Sequence, residues 1–258
     1  MATYTTEIAS DKLISDNPIH QRLLKAYIAA QPWISGKLLE VGCGEGRGVE
    51  VLLPHADSYL GLDKIEEVIS SLKKKYPKVA FEQAIIPPFS NLEDNSFDTV
   101  VSFQVIEHIK DDRLFLEEIY RVLKPGGKAI ISTPNINHTL SRNPWHEREY
   151  TPEQLISLAE GIFDKVEAKG IGGNKKVWSY HEANRKSVQK IMRFDIFDLQ
   201  HRLPASILRM PYEILNRMNR NKLHKQEGNA VVNISHEDYP LEEDPSKGLD
   251  LFYIMWKK

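Results

Sequence analysis

Apolar residues in the first half of the chain fall into short continuous runs, and between these runs they recur every three or four positions. Lys37 to Val41 (Lys-Leu-Leu-Glu-Val) stops at a cluster of glycines, and Ser58 to Leu62 ends in Asp63. Val79 to Gln83, Phe97 to Phe103 and Lys128 to Ser132 are three further runs, the last broken by Thr133-Pro134-Asn135. Each run predicts a strand, and the nearly unbroken apolar character of Phe97 to Phe103 predicts one buried on both faces. The intervening segments have helical period. Ile19, Leu23, Leu24, Tyr27 and Ile28 mark a helix over Pro18 to Ala30; others are expected at Val49 to Leu53, through Val68, Ile69 and Leu72, and at Arg113 to Leu123. Pro125-Gly126-Gly127 is expected to be a turn. Strand and helix alternating at this spacing imply right-handed crossovers and a parallel sheet covered on both sides. Ligands of such sheets bind at the carboxyl ends of the strands, which brings the loops after Val41, Leu62, Gln83 and Phe103 around one crevice.

Beyond residue 150, Thr151 is a helix N-cap followed by Pro152 in the first turn, with Leu155, Ile156, Leu158 and Ala159 on the buried side. Strands are expected at Lys165 to Ile171 and Leu249 to Trp256, which leaves Gly172 to Gly248 as an insertion between them. Val188, Met192, Ile196, Leu199 and Leu203 form a helical stripe there, and Pro204 and Pro211 are expected to break the helix beyond it. The expected organisation is one domain over 1–258 carrying a helical cap at 174–227. Charge in the insertion is uneven: 174–227 holds 12 Lys and Arg against 5 Asp and Glu, whereas 228–250 holds one Lys against six acids.

Composition narrows the function classes. With 258 residues, 41% hydrophobic and 27% charged, the chain can build one sizeable core. A net charge of -2 argues against a protein that coats nucleic acid, so no nucleic-acid partner is expected. The single cysteine, Cys43, excludes an internal disulfide or a cysteine-based metal cluster. The N-terminus lacks a secretory pattern, and no apolar run approaches the roughly 18 residues of a membrane span. A cytoplasmic protein, monomeric or homodimeric, is the expectation.

The chemistry concentrates in Glu40-Val41-Gly42-Cys43-Gly44-Glu45-Gly46, where a strand runs into alternate glycines. Glycine accepts positive φ and lets backbone approach a ligand closely, and the following helix start offers amides to an anionic group. A dinucleotide site wants a third glycine where this chain has Arg47. Glu40, an acid inside the strand end, repels a pyrophosphate and suits a ligand with positive charge, such as the amino group of a methionine moiety. Asp63, about twenty residues on, can accept hydrogen bonds from both hydroxyls of a ribose. Together they indicate an adenosine-type ligand. Cys43 within the loop fills space as a small apolar side chain.

The ordered set Leu39-Glu-Val-Gly-Cys-Gly-Glu-Gly46, Gly61-Leu-Asp63, Asn95-Ser-Phe-Asp-Thr-Val-Val-Ser102, Val105-Ile-Glu-His-Ile109 and Arg121-Val-Leu-Lys-Pro-Gly-Gly127 resembles the class I S-adenosylmethionine-dependent methyltransferases over Gly36 to Asn135. That resemblance implies an α/β fold of the Rossmann-like, doubly wound kind: a mostly parallel seven-stranded sheet with helices on both faces and a helical insertion near the C-terminus. It implies S-adenosylmethionine as cofactor. Residues matching Glu40, Gly42, Gly44 and Gly46 would surround the methionine part, Asp63 would bind the ribose, Gln83 and Ala84 would flank the adenine and Gln104 would lie beside the sulfonium end, with Cys43 and Lys64 also counted among the cofactor-binding residues. The chain departs from the family at the adenine, where many relatives have an Asp and this sequence reads Gln83-Ala84-Ile85.

The resemblance further implies in-line attack of an acceptor on the methyl group, with no metal required; a base matters if the acceptor is a hydroxyl. His108, opening the helix after the fourth strand, is the first candidate base, and His146, in Asn143-Pro-Trp-His-Glu-Arg-Glu-Tyr150, is the second. That stretch resembles methyltransferases of polysaccharide-building pathways, which implies a small-molecule acceptor that is a carbohydrate or is lipid-linked. His138, His146 and Glu149 lack the helical register of a metal site, so none is expected. Two other readings remain open: a non-catalytic S-adenosylmethionine-binding protein and a nicotinamide-dependent oxidoreductase.

Overall fold

The computed structural model describes residues 14–258 apart from 194, 196, 197 and 227. Helix α1 (Asn17–Ala30) leads into strand β1 (Lys37–Val41), the short helix α2 (Val49–Leu52), β2 (Ser58–Asp63), α3 (Glu66–Lys75), β3 (Ala80–Gln83) and β4 (Phe97–Phe103). Then come α4 (Asp112–Val122), β5 (Leu123–Pro134), α5 (Pro152–Glu160) and β6 (Lys165–Ile171). The chain finishes with α6 (Lys175–Met192), α7 (Leu199–Arg202), α8 (Ala205–Gln226), α9 (Gly228–Asn233), β7 (Leu241–Glu242) and β8 (Asp250–Trp256).

These strands form one sheet in the order β3-β2-β1-β4-β5-β8-β6-β7. The pairings from β3 through to β5 are parallel, and β8 runs antiparallel between β5 and β6. Successive residues of β8 belong to opposite cores: Phe252 and Ile254 pack with Tyr27, Leu38 and Val101, while Tyr253 and Met255 pack with Leu39, Val100 and Phe115. That alternation is what a sheet buried on both faces requires. Strand order reverses between β1 and β4, and the crevice at such a switch point is where open α/β sheets bind ligands.

The sheet has eight strands where seven are expected, because the two-residue β7 pairs with the end of β6 through Gly170 and Ile171. Pro125-Gly126-Gly127 is not a free turn but part of β5: the register against β4 jumps from Phe97–Leu123 to Thr99–Lys128, and Gly126 takes up the irregularity at φ +81. The helical stripe in the insertion is also interrupted. Helix α6 ends at Met192, Asp198 sits in the left-handed region at φ +52, and Ile196, with Phe194 and Phe197, lies outside the described residues. Pro211, expected to stop a helix, lies inside α8. Its side chain is exposed, and a proline inside a helix removes one backbone hydrogen bond and can kink the helix rather than end it. No helix among the described residues is long and apolar enough to cross a membrane.

Phe115 of α4 is fully buried between the sheet and Phe89, whose ring meets it edge-on at 6.0 Å. Phe115→Ala should cost about 3–5 kcal/mol of unfolding free energy in urea titrations; a cost below about 1 kcal/mol would mean this side of the sheet is not packed as described.

Candidate active site

The glycine loop is built by the end of β1. Gly42, Gly44 and Gly46 have φ of +78, +49 and +80, which side chains rarely adopt. A Cβ on Gly42 would strike Val105 at 2.4 Å, whereas one on Gly44 would stand in open space, so the loop presses on the protein at one glycine and offers bare backbone at the next. Gly42 and Cys43 donate their amides to the Leu62 carbonyl, and Gly44 donates to Oδ2 of Asp63 at 2.9 Å. Asp63 Oδ1 accepts from the Ile65 amide, Ala84 donates to the Asp63 carbonyl, and the Gln83 side chain donates to the Lys64 carbonyl. The ends of β1, β2 and β3 are thereby knitted into one ledge. Ile85, at its edge, is 81% exposed.

Glu40 lies under this loop, 1% exposed. Its carboxylate accepts from the Tyr27 hydroxyl at 2.9 Å and the Tyr59 hydroxyl at 2.5 Å. A Cβ on Gly48 would come within 2.3 Å of Tyr27 and 2.6 Å of Glu40, so the exit of the loop rests directly on this pair. Burial pushes the Glu40 carboxyl up to about 7, against the two tyrosine hydroxyls that favour its charged form. Burial also raises the Cys43 thiol, consistent with a space-filling side chain rather than a nucleophile.

A cleft of about 660 Å³ opens from the loop along the carboxyl ends of β1 and β4. Gly42, Cys43, Gly44, Gly46, Gln104, His108 and His146 all line it; Glu40, Asp63, Lys64, Gln83 and Ala84 do not. Gln104, at φ +58, turns the chain out of β4. Its amide donates to the Ser132 carbonyl.

Beyond Gln104 the cleft wall carries an imidazole pair. The rings of His108 and His146 meet edge-on with centroids 4.9 Å apart. Nδ1 of His108 lies 2.9 Å from the Trp145 carbonyl oxygen, which can only accept, so the proton sits on Nδ1 and Nε2 is the basic nitrogen. Nδ1 of His146 lies 2.7 Å from Glu149 Oε1, and its Nε2 is 2.9 Å from the Asn143 amide nitrogen. The Trp145 amide donates to Asn143 Oδ1, which fixes the direction of that side-chain amide. Glu149 also accepts from Thr139. Glu107, buried beside the pair, accepts from the Thr133 hydroxyl at 2.9 Å; burial lifts its carboxyl to about 7, opposed by the nearby His146.

Ligand atoms of Glu107, His108 and His146 lie within 4.8 Å of one another, close enough to share a metal ion, and each side chain already has the protein partners described above. His138, by contrast, is held at the Ser246 carbonyl and packs against Trp178. Sequence patterns did not single out Tyr27, Tyr59, Glu107 or Asn143. The signal for Glu107 was an acid in the otherwise apolar Val105-Ile-Glu-His-Ile109; the tyrosines carried none, because they converge on Glu40 from separate elements.

The far wall is helical and carries polar side chains among apolar ones. His20 and Arg22 come from α1, His181 and Asn184 from α6, and Tyr212 and Asn216 from α8. Asn219 of α8 donates to Asn184 Oδ1, tying α8 to α6 within this wall. Burial, with Arg22 adding to it, lowers His181 to about 4, so that ring is neutral near pH 7.

Residues 39–131 match the methyltransferase domain family. A probable S-adenosylmethionine-dependent methyltransferase of Mycolicibacterium smegmatis is 39% identical over 135 residues, covering 50% of this chain and 52% of that protein. The mitochondrial ubiquinone biosynthesis O-methyltransferase of Homo sapiens is 33% identical over 133 residues, 48% of this chain and 34% of that one. The chain thus spans about half or less of the length of these relatives. Among solved structures, an S-adenosylmethionine-dependent methyltransferase from Thermotoga maritima shares the fold with a TM-score of 0.59 at 17% identity, over 95% of this chain and 91% of that one. Residues 39–131 thus carry the sequence of a methyltransferase domain, and the chain shares its fold with a solved S-adenosylmethionine-dependent methyltransferase.

Glu40 and Glu107 both titrate higher in the fold than the ordinary carboxyl value of 4.5. The stability each contributes is complete below 4.5 and is lost as pH rises through about 7. Unfolding free energy should therefore fall between pH 5 and 8, by at most about 1.4 kcal/mol per pH unit and per group. Glu40→Gln and Glu107→Gln should each flatten that slope in denaturant titrations; an unchanged slope in both contradicts the burial described.

Proposed function

We propose that the protein transfers a methyl group from S-adenosylmethionine to a hydroxyl of a carbohydrate or glycolipid, with His108 as the base. The observation that carries this reading is the imidazole pair: His108, its Nδ1 held by the Trp145 carbonyl, lines a cleft that also carries the side-chain amides of Asn184, Asn216 and Asn219. Amides both donate and accept, which matches a ligand with many hydroxyls. An O-methyltransferase among the relatives supports an oxygen acceptor.

The ledge fits the cofactor. The bare backbone of Gly44 admits close approach, Gly42, Cys43 and Gly46 would face the methionine part with Gln104 beside the sulfonium, and Asp63 with Lys64 would take the ribose. Gln83 and Ala84 would border the adenine, and the exposed Ile85 side chain gives it an apolar surface. Both carboxyl oxygens of the buried Glu40 are held by Tyr27 and Tyr59, so we assign it a positioning role through these tyrosines and Gly48. When bound, S-adenosylmethionine supplies a methyl group on a positively charged sulfur.

The chain's own residues then orient and deprotonate the acceptor. His108 Nε2 accepts the hydroxyl proton, and the Trp145 carbonyl holding Nδ1–H keeps that nitrogen basic. His146, locked between Glu149 and Asn143, packs edge-on against His108 and fixes its ring plane. Helices of 174–227 supply, with α1, the helical wall, and we read them as a cap that holds the acceptor against the sheet edge. Holding two reactants at attack distance can itself supply several kcal/mol, up to about 7–11 in ideal cases.

In assays of labelled methyl transfer to sugars and glycolipids, His108→Gln should lower kcat by about 10²- to 10⁴-fold and leave S-adenosylhomocysteine affinity unchanged. Asp63→Ala should instead weaken that affinity about 10- to 100-fold, the loss of charged hydrogen bonds. Full activity of the His108 variant would remove the base from the account, and cofactor binding without transfer to any acceptor would favour a binding protein. Chelation should leave the rate unchanged; a loss restored by a divalent cation would make Glu107, His108 and His146 a metal centre.

A further inference from the structure

Helix α8 is built inside out. A surface helix of a globular protein buries its apolar stripe and shows polar residues to solvent. Along α8 the positions facing inward are Tyr212, Asn216 and Asn219, which line the cleft, with Arg217 and Arg220 paired to the buried carboxylate of Asp16. The opposite face is apolar: Ile207, Met210, Ile214, Leu215 and Met218 are 57%, 73%, 54%, 43% and 63% exposed. Their spacing of three, four, one and three places them in one stripe. Five of the nine large apolar side chains exposed among the described residues thus lie on this one helix face, so the patch is not the scattered surface hydrophobicity of an ordinary protein.

Towards the C-terminal end of α8 the same face continues as Lys222 and Lys225, both exposed. An apolar stripe ending in ammonium groups is the pattern of a helix lying in the interface of an anionic bilayer, apolar side chains in the acyl boundary and lysines at the phosphates. Charge disfavours a second copy as occupant. An antiparallel self-pairing would set Lys222 and Lys225 of one copy against Ile207 and the exposed Arg202 at the other end of its neighbour, and the parallel pairing would set the lysines against each other. The segment as a whole concentrates positive charge, 12 Lys and Arg against 5 acids in 174–227, in a chain of net charge -2.

We propose that the outer face of α8 docks on an anionic lipid bilayer, which sets the cleft, lined by the inner face of the same helix, at the membrane surface. Docking is independent of which acceptor is methylated. It places a lipid-linked acceptor beside the cleft that the imidazole pair also lines, without the cleft having to bind the lipid's hydrocarbon.

The test is sedimentation of the full chain with vesicles of phosphatidylcholine alone and of phosphatidylcholine mixed with phosphatidylglycerol. Binding to the anionic vesicles is expected, weakening with salt. It should drop about tenfold or more in M210E/M218E and also in K222E/K225E. Both double variants should keep the wild-type melting temperature and S-adenosylhomocysteine affinity, which shows that they fold and separates failure of docking from failure of the catalytic reading. No sedimentation with anionic vesicles, or equal sedimentation with both kinds, would overturn the proposal. So would a wild-type dimer in solution that M210E/M218E turns into monomer, since the face would then belong to a second copy.

Discussion

A carboxylate sealed from water must be held by donors, and at the end of β1 the donors come from two separate elements. Tyr27 reaches Glu40 from α1 and Tyr59 from β2. Gly48, which leads into α2, has no room for even a Cβ because Tyr27 and Glu40 fill the space beneath it. One buried contact therefore sets the seat of α1 on the sheet, the height of the glycine loop and the start of the helix after it. The cost of burying the group, visible in a carboxyl lifted to about 7, is offset only while all three side chains are in place. Such a node rigidifies a loop that has few side-chain contacts of its own.

The rest of the site is hung from that frame by topology. Because the strand order reverses between β1 and β4, the glycine loop and Gln104 emerge side by side although about sixty residues separate them. The loop after β5 then brings His146 and Glu149 against His108. Helices inserted before β7 close the far side with amides and leave an apolar face outward. In the proposed reading the sheet end and the helical insertion divide the work: backbone and strand-end carboxylates would take the cofactor, and the cleft between sheet and helices would take the acceptor.

The strands of the first half were legible in the sequence because a strand buried on both faces is a continuous apolar run, and here each run ends at glycine, proline or an acid. The glycine loop was legible for the same local reason. Features that depend on distant partners were not. Tyr27 reads as one more apolar position on the stripe of α1, and nothing local shows that its hydroxyl meets Glu40 thirteen residues away. Glu40 itself reads as a ligand for a positive group, whereas the structure turns its carboxylate to the tyrosines. Pro211 reads as a helix stop, whereas α8 continues through it, because a proline can kink a helix as well as end it. The bulge at Gly126 and the two-residue β7 are set by register against neighbouring strands, which periodicity does not encode.

The central claim is that the tyrosine-held carboxylate positions the cofactor loop. Calorimetric titration of S-adenosylhomocysteine into Tyr59→Phe tests it most directly, since that substitution deletes one hydroxyl and keeps the ring packed on Phe81. The account predicts affinity about tenfold weaker, the effect of removing one hydrogen bond to a charged group, in a protein that still unfolds cooperatively. Wild-type affinity in that variant would contradict it.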